Sequence, residues 1–201
     1  SDSYDARKPI RIARFYINDF HPQNRWLSVP EIILHSSNIG AAKIGEDIGT
    51  KNQKDYFGRF GLLAPPKLEL PEVGAPLVPR SWRPINTMTI SYGHGIAVSP
   101  IQLISGVSSI VNGGIKISPT LVKQGRKRAN GRKILSNQAS LDVRRLMRLV
   151  VKQGTGKKAK TEGYLLGGKT GTANKLQGRG YSSSAKISSF IGSFPMNSPK
   201  Y

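Results

Sequence analysis

The segment Lys169-Thr170-Gly171-Thr172 places one positive charge and two hydroxyls around a glycine. On an edge strand such a segment makes a cradle for a carboxylate, because Lys169 supplies charge while Thr170 and Thr172 donate hydrogen bonds. Gly171 has no side chain and lets a ligand backbone approach closely. A string this short also occurs by chance, so an ordinary exposed strand edge is the alternative interpretation.

The segment Ser36-Ser37-Asn38 lies where two predicted helices meet. At such a junction a hydroxyl can relay a proton, and the Asn38 amide can hold the carbonyl of a substrate peptide. The alternative is a plain helix cap, since Ser and Asn are common there. His35 adjoins Ser36, but adjacent residues at a helix end rarely point the same way, so we assign His35 a structural role.

Capping signals define the helix before this junction. Ser28, Pro30 and Glu31 form a capping box with a proline in the first turn, which predicts a helix that breaks near 35–38. Residues 1–26 are polar with short alternating apolar pieces, and we expect them to form a hairpin or an extended arm.

Glycines divide the chain after the junction. A second helix is expected to stop at Gly49, and a third, over residues 53–60, is closed by Gly61. Residues 62–87 contain six prolines and predict a long loop.

The rest of the chain changes from helical to strand periodicity. Ser99-Pro100-Ile101-Gln102 marks another helix start, and a further helix is expected over 140–152. Residues 165–173 and 185–194 predict two antiparallel strands, so the fold class is α+β. The apolar faces expected to point inward include Ile48, Ile104 and Leu141.

Composition excludes several kinds of chemistry. The 201 residues contain no cysteine, which excludes disulfides and thiol nucleophiles, and three scattered histidines argue against a zinc site. We therefore expect no metal and no cofactor. No apolar run approaches the roughly 20 residues that span a bilayer.

The excess of positive charge favours the binding of polyanions. There are 31 Lys and Arg residues against 11 Asp and Glu residues, a net charge of +20, with cations crowded over 123–133. This stretch predicts either a polyanion-binding patch or a solvated loop. No aromatic residue lies between Lys123 and Lys160 to stack on bases, so we expect no nucleic acid as partner.

The chain resembles the transpeptidase domain of class B penicillin-binding proteins, and among them the septal-division enzymes of Gram-negative bacteria. The resemblance covers nearly the whole chain. It rests on the order and context of the segments 35–40, 57–62, 91–103, 154–156, 163–164, 168–173 and 190–195.

The resemblance implies the penicillin-binding protein and serine β-lactamase-like fold, represented by most of the helical subdomain and part of the antiparallel sheet. It also implies a peptidoglycan D,D-transpeptidase, which cross-links stem peptides ending in D-Ala-D-Ala through an acyl-enzyme and is trapped by β-lactams. It places the protein at the periplasmic face of the bacterial inner membrane, with division-complex membrane proteins as possible partners. The implied catalytic residues are Ser36, Asn38 and Lys169, and the implied substrate-binding residues are Ser37, Thr170, Gly171 and Thr172; the Thr172 N–H resembles half of an oxyanion hole.

The family's nucleophile motif, Ser-x-x-Lys, should lie upstream of Ser36, and residues 1–35 do not contain it. The one match in the sequence, 183–186, follows Lys-Thr-Gly and is interpreted as a chance string. We therefore expect residues 1–201 to be a partial domain without the nucleophile segment and the closing C-terminal strand and helix, inactive by itself. A basic, non-catalytic module that binds a polyanion or a protein partner is the alternative.

Overall fold

The structure is a computed structural model that describes residues 2–123, 131–177 and 180–201, with side chains at 2–123, 131–173 and 185–201. The strands are β1 (Ser3–Asp5), β2 (Ile10–Ile12), β3 (Phe15–Ile17), β4 (Trp26–Ser28), β5 (Ile115–Lys116), β6 (Arg132–Lys133), β7 (Gly167–Gln177) and β8 (Gly180–Ser193). The helices are α1 (Val29–His35), α2 (Asn38–Phe60), α3 (Pro84–Ser91), α4 (Pro100–Val111) and α5 (Asn137–Gln153), and a 3-10 turn covers Lys157–Ala159.

The described strands form four antiparallel pairs, β1–β4, β2–β3, β5–β6 and β7–β8. The pair β2–β3 is the hairpin expected within residues 1–26. The long pair β7–β8 aligns Lys169 with Ile191 and Thr172 with Ser188. Helices and antiparallel strands together make an α+β fold, as predicted.

Helix α1 begins at the predicted capping box. The Ser28 N–H and hydroxyl both donate to the Glu31 carboxylate, at 2.9 and 2.8 Å. Arg25 lies 2.8 Å from the other carboxylate oxygen. The chain enters α1 directly from β4, so this box fixes the direction in which α1 leaves the strand.

Helix α2 spans both helices predicted between the junction and Gly61. At Gly49 the backbone is non-helical, with φ 76° and ψ 157°, and the helix kinks there instead of ending. Gly61 closes the helix in the left-handed region, with φ 79°.

Helix α3 corrects the loop predicted over 62–87. Six prolines indicated irregular backbone, but Pro84 occupies the first turn of α3, where its missing N–H has no helical partner to lose. The Arg83 N–H donates to Asn86 Oδ1 at 2.9 Å and caps the same turn. The irregular segment therefore ends at Arg83, and α3 packs against α2.

Helix α5 supports the strand that carries Lys169. Val150 and Val151 are fully buried, and α5 packs against α1, α4 and β7. Arg148 donates to the carbonyl of Leu166 at 2.8 Å, and Arg144 donates to the carbonyl of Met196 at 2.7 Å. Two of the three α5 arginines are therefore structural and do not belong to a solvated face.

Three apolar residues expected to point inward are exposed. Ile48 is 44% exposed, Ile104 is 53% exposed and Leu141 is 40% exposed. Ile48 lies next to the kink at Gly49, which turns the helix away from the periodicity used to predict its face. Among the described residues, no helix is long and apolar enough to cross a bilayer.

Candidate active site

Lys169 and Ser36 meet although 133 positions separate them in the chain. The Lys169 ammonium donates to Ser36 Oγ at 2.7 Å and to the carbonyl of Thr170 at 3.0 Å. Lys169 lies on β7, and Ser36 lies between α1 and α2. The structure therefore brings together the two short segments from which the chemistry was predicted.

The junction between α1 and α2 exposes Ser36 for a geometrical reason. Ser36 adopts the left-handed conformation, φ 57° and ψ 47°, and ends α1 with its N–H bonded to the carbonyl of Ile32. Ser37 then begins α2, and its hydroxyl accepts from the Gly40 N–H at 3.0 Å. A left-handed residue between two helices turns the chain sharply, so successive side chains leave the junction in different directions.

Ser37 points into the protein. It is 3% exposed, and its hydroxyl donates to Asp19 Oδ2 at 2.8 Å. Substrate binding by Ser37 stays a prediction; in this structure its buried hydroxyl is engaged by Asp19 and by the Gly40 N–H. Its side chain positions the junction.

Asp19 is a residue that the sequence analysis missed. Its second oxygen, Oδ1, accepts from the Ile39 N–H at 2.9 Å, and the side chain is 8% exposed. Asp19 follows β3, in a polar segment with no motif, so no local pattern distinguished it from the other acidic residues. Its carboxylate holds the first turn of α2.

Asn38 is hydrogen-bonded to the segment that contains Asp19. Its Nδ2 donates to the carbonyl of Asn18 at 2.8 Å, and the residue is half-buried. The Asn18–Asp19 segment therefore sets the orientation of both Ser37 and Asn38. The Asn38 side chain meets this segment, whereas the direct partner of Lys169 at the junction is Ser36.

The remaining residues of the Lys-Thr-Gly segment lie on two faces of β7. Alternation along a strand places Thr170 and Thr172 on one face and Lys169 on the other. Thr170 Oγ1 lies 2.8 Å from Thr155 Oγ1, while Gly171 and Thr172 are exposed. A carboxylate contacted by Lys169 and both threonines would therefore have to lie at the strand's edge.

Gly171 accommodates a neighbour on β8. A Cβ at this position would lie 2.7 Å from Ser189 Oγ, so the glycine makes room for that hydroxyl. The absence of a side chain at Gly171 thus serves the pairing of β7 with β8.

The Lys169 ammonium is partly withdrawn from water, and this desolvation lowers the pKa of the side chain below its ordinary value. Within the described ranges no carboxylate forms an ion pair with Lys169. An ammonium has three N–H donors, and two are engaged by Ser36 and Thr170. The third donor can bind an anionic group, and the positive charge would favour it.

Two sequence predictions fall outside the described residues. One is the Ser-x-x-Lys match that was interpreted as a chance string: the structure describes the backbone of Ser183 and Ser184 as part of β8, but not their side chains. The centre of the basic stretch, 124–130, is also outside. Lys186, the last residue of the match, has its ammonium 4.7 Å from the ring centroid of Phe20.

The sequence matches a family model, described as the penicillin binding protein transpeptidase domain, over residues 2–201. It is 35% identical to the probable peptidoglycan D,D-transpeptidase FtsI of Caulobacter vibrioides, over 99% of this chain and 35% of that protein. It is 30% identical to the probable peptidoglycan D,D-transpeptidase PenA of Neisseria meningitidis serogroup A, over 96% of this chain and 33% of that protein. The chain thus spans about a third of the length of these curated relatives.

Solved structures show the same fold. The TP domain of Burkholderia pseudomallei penicillin-binding protein 3 superposes with a TM-score of 0.87 and 33% identity, over 95% of this chain and 59% of that one. Penicillin-binding protein 3 of Mycobacterium tuberculosis, complexed with aztreonam, gives a TM-score of 0.86 and 25% identity, over 96% and 48% of the two chains.

Proposed function

The chain belongs to the penicillin-binding protein transpeptidase family, and we propose that it forms the Ser-x-Asn and Lys-Thr-Gly part of a peptidoglycan D,D-transpeptidase. The observation that carries this proposal is the 2.7 Å hydrogen bond between the Lys169 ammonium and the Ser36 hydroxyl. It joins the two segments across a long stretch of chain, as a shared substrate site requires.

In this proposal Ser36 relays a proton. The Lys169 N–H occupies one lone pair of Ser36 Oγ, so the hydroxyl is oriented and its own proton can be donated elsewhere. When the serine nucleophile of the domain attacks the penultimate D-Ala carbonyl, the peptide C–N bond breaks and the departing D-Ala amine must gain a proton. A hydroxyl held beside an ammonium is suited to pass that proton on.

Lys169, Thr170 and Thr172 bind the terminal carboxylate of the stem peptide in this proposal. The unused N–H of Lys169 and its positive charge support this role, as does the exposure of Thr172 at the strand. The exposed Gly171 lets the peptide backbone approach β7 closely. Asn38, held by Asn18, is assigned to the donor peptide's amide.

β-Lactams are proposed as ligands of the same site, because they present an anionic group, a carboxylate or a sulfonate, beside a reactive carbonyl. The complex of Mycobacterium tuberculosis penicillin-binding protein 3 with aztreonam supports this extension. Action in cell division at the periplasmic face of the inner membrane, with membrane proteins of the division complex as partners, is likewise proposed from the relationship to FtsI.

The proposal is tested by titrating the isotopically labelled chain with diacetyl-Lys-D-Ala-D-Ala and following backbone amide shifts by NMR. We expect shifts at Ser36, Lys169 and Thr172, and at least about tenfold weaker binding by Lys169→Gln, because a charge-assisted contact is lost. Lys152→Gln, an exposed lysine on α5, is the matched control and should bind normally.

Two ligand controls sharpen this test. The C-terminal amide of the same peptide lacks the carboxylate, and the L-Ala-L-Ala peptide has the other configuration, so both should bind poorly. Equal binding of all three peptides, or no shift near Ser36 and Lys169, would contradict the proposal. Because residues 1–35 lack Ser-x-x-Lys, intact-mass measurement of this chain with penicillin should show no covalent adduct.

A further inference from the structure

A second concave site lies between the later part of α2 and the strand β6. It is an open depression of the surface with a volume of about 570 Å³, and its charged lining residues are Lys51, Lys54, Asp55, Arg59 and Arg132. We call it the α2–β6 pocket. It involves the end of α2 opposite to Asn38, and none of its lining residues belongs to the Ser36–Lys169 pair.

The pocket has an excess of positive charge. Four cations face one carboxylate, and that carboxylate, Asp55, is already paired with Arg59 at 2.7 Å. Lys51 and Lys54 are three positions apart on a helix and therefore project from the same face. No ion pair among the described residues compensates Lys51, Lys54 or Arg132.

The ribbon β5–β6 places a further cation, Lys116, beside Arg132 but outside the lining of the pocket. The register places Lys116 directly opposite Arg132. Like charges in this relationship destabilise a strand pair. The Lys116 ammonium packs against Gly61, whose missing side chain leaves room for it, and partial burial there lowers the pKa of Lys116. An anion near Arg132 would relieve this repulsion.

From this arrangement we propose that the α2–β6 pocket binds a small polyanion carrying two or more phosphate groups. Several cations converge on one cavity from two separate parts of the chain, which suits a compact multivalent anion and focuses the positive potential there. Among the residues that the structure describes, no aromatic side chain lines the pocket, so this lining offers no stacking platform of the kind that single-stranded nucleic acid uses. This site does not depend on the proposed transpeptidase function.

The experiment is isothermal titration calorimetry of the 201-residue chain with tripolyphosphate, at about 50 mM and about 200 mM salt. We expect saturable binding that weakens at the higher salt concentration, because phosphate contacts are screened. The variant Lys51→Gln/Lys54→Gln/Arg132→Gln should bind at least about tenfold more weakly.

A matched variant removes the same charge elsewhere. Lys8→Gln/Lys152→Gln/Lys158→Gln replaces three exposed lysines outside the pocket and should change the affinity less than about twofold. Thermal unfolding checks that both variants fold, and Arg132→Gln alone, on an exposed ribbon, replaces the triple variant if that does not fold.

Several outcomes would overturn the proposal. These are no binding of tripolyphosphate, an equal loss of affinity in the two triple variants, or pocket-dependent binding only to phosphatidylglycerol vesicles or duplex DNA. The last result would assign the pocket to a membrane or a nucleic acid instead of a small polyanion.

Discussion

The carboxylate of Asp19 lies 2.8 Å from the hydroxyl of Ser37 and ties the end of the β2–β3 hairpin to the start of α2. Its other oxygen accepts the Ile39 N–H, and the neighbouring carbonyl of Asn18 accepts the Asn38 amide. The hairpin thus determines how the junction presents Ser36 to Lys169. A residue that touches no predicted ligand is therefore a positioning residue for the candidate site.

Replacing Asp19 tests this relationship. Asp19→Ala should lower the free energy of unfolding by at least about 2 kcal/mol, because the buried Ser37 hydroxyl and Ile39 N–H lose their acceptor. Urea unfolding measures the change. Asp142→Ala is the control, since Asp142 is exposed on α5 and its removal should cost less than about 0.5 kcal/mol. Equal losses would show that Asp19 does not hold the junction.

Much of the local structure was predictable because its causes are local. The box at Ser28 and Glu31, the start of α4 at Ser99 and the end of α2 at Gly61 all formed as predicted. Each depends on backbone donors and acceptors within a few residues. The family assignment and the α+β class were confirmed for a related reason, since several short motifs in a fixed order identify a fold that no one of them specifies.

The features that sequence analysis missed depend on contacts between distant residues. Asp19 acquires its role only when the hairpin folds against α2, 20 positions away. Pro84 was counted as a loop residue because its position in the first turn of α3 depends on packing against α2. The α2–β6 pocket likewise joins residues 51–59 with Arg132, and net charge alone could not locate it.

The kink in α2 predicts opposite effects for two glycines in one helix. Gly49 has φ 76° and ψ 157°, so Gly49→Ala should destabilise the protein by about 1–3 kcal/mol through backbone strain, although the space around it is open. Gly58 has helical backbone and equally open surroundings, so Gly58→Ala should stabilise it by about 0.5–1 kcal/mol. Thermal unfolding measures the stability of both variants. Stability changes of the same sign would contradict the non-helical backbone at Gly49.

The capping box of α1 predicts an acid-dependent stability. Hydrogen bonds from Ser28, followed by Arg25, lower the pKa of Glu31 from its ordinary value of 4.5 to about 2. A lowered carboxyl pKa stabilises the fold above the ordinary value and loses that contribution as pH falls toward the folded value. Glu31→Gln should therefore reduce stability at pH 7 by about 0.5–1 kcal/mol, a modest effect at a partly exposed site.

Urea unfolding measures the free energy of unfolding of Glu31→Gln and of the unmodified protein. The difference between the two free energies should shrink as the pH is lowered from about 5 toward 2. Glu162→Gln, at an exposed position, controls for the loss of a negative charge. A difference that stays constant over this range would show that the ionised form of Glu31 does not stabilise α1.

The contact between Lys169 and Ser36 is tested by a double-mutant cycle. Lys169→Met, Ser36→Ala and the combined variant should show non-additive losses in affinity for diacetyl-Lys-D-Ala-D-Ala, because each residue positions the other. The expected coupling is about 1.5–3 kcal/mol, typical of a hydrogen bond that involves a charged group. Additive losses would mean that the 2.7 Å contact has no part in binding the peptide.

The pH dependence of peptide binding isolates the charge of Lys169. Desolvation lowers the pKa of this lysine below its ordinary value of 10.5, so the ammonium loses its proton at a lower pH than an exposed lysine does. The neutral amine no longer attracts a carboxylate. As the pH is raised, the affinity for the peptide acid should therefore begin to fall at a pH lower than 10.5, whereas the weak binding of the peptide amide should not change. Lys169→Arg keeps its charge throughout this range, so the fall should be absent in that variant even if the longer side chain weakens binding. A fall of equal size in Lys169→Arg would assign the titration to another group and remove the electrostatic basis for the carboxylate site.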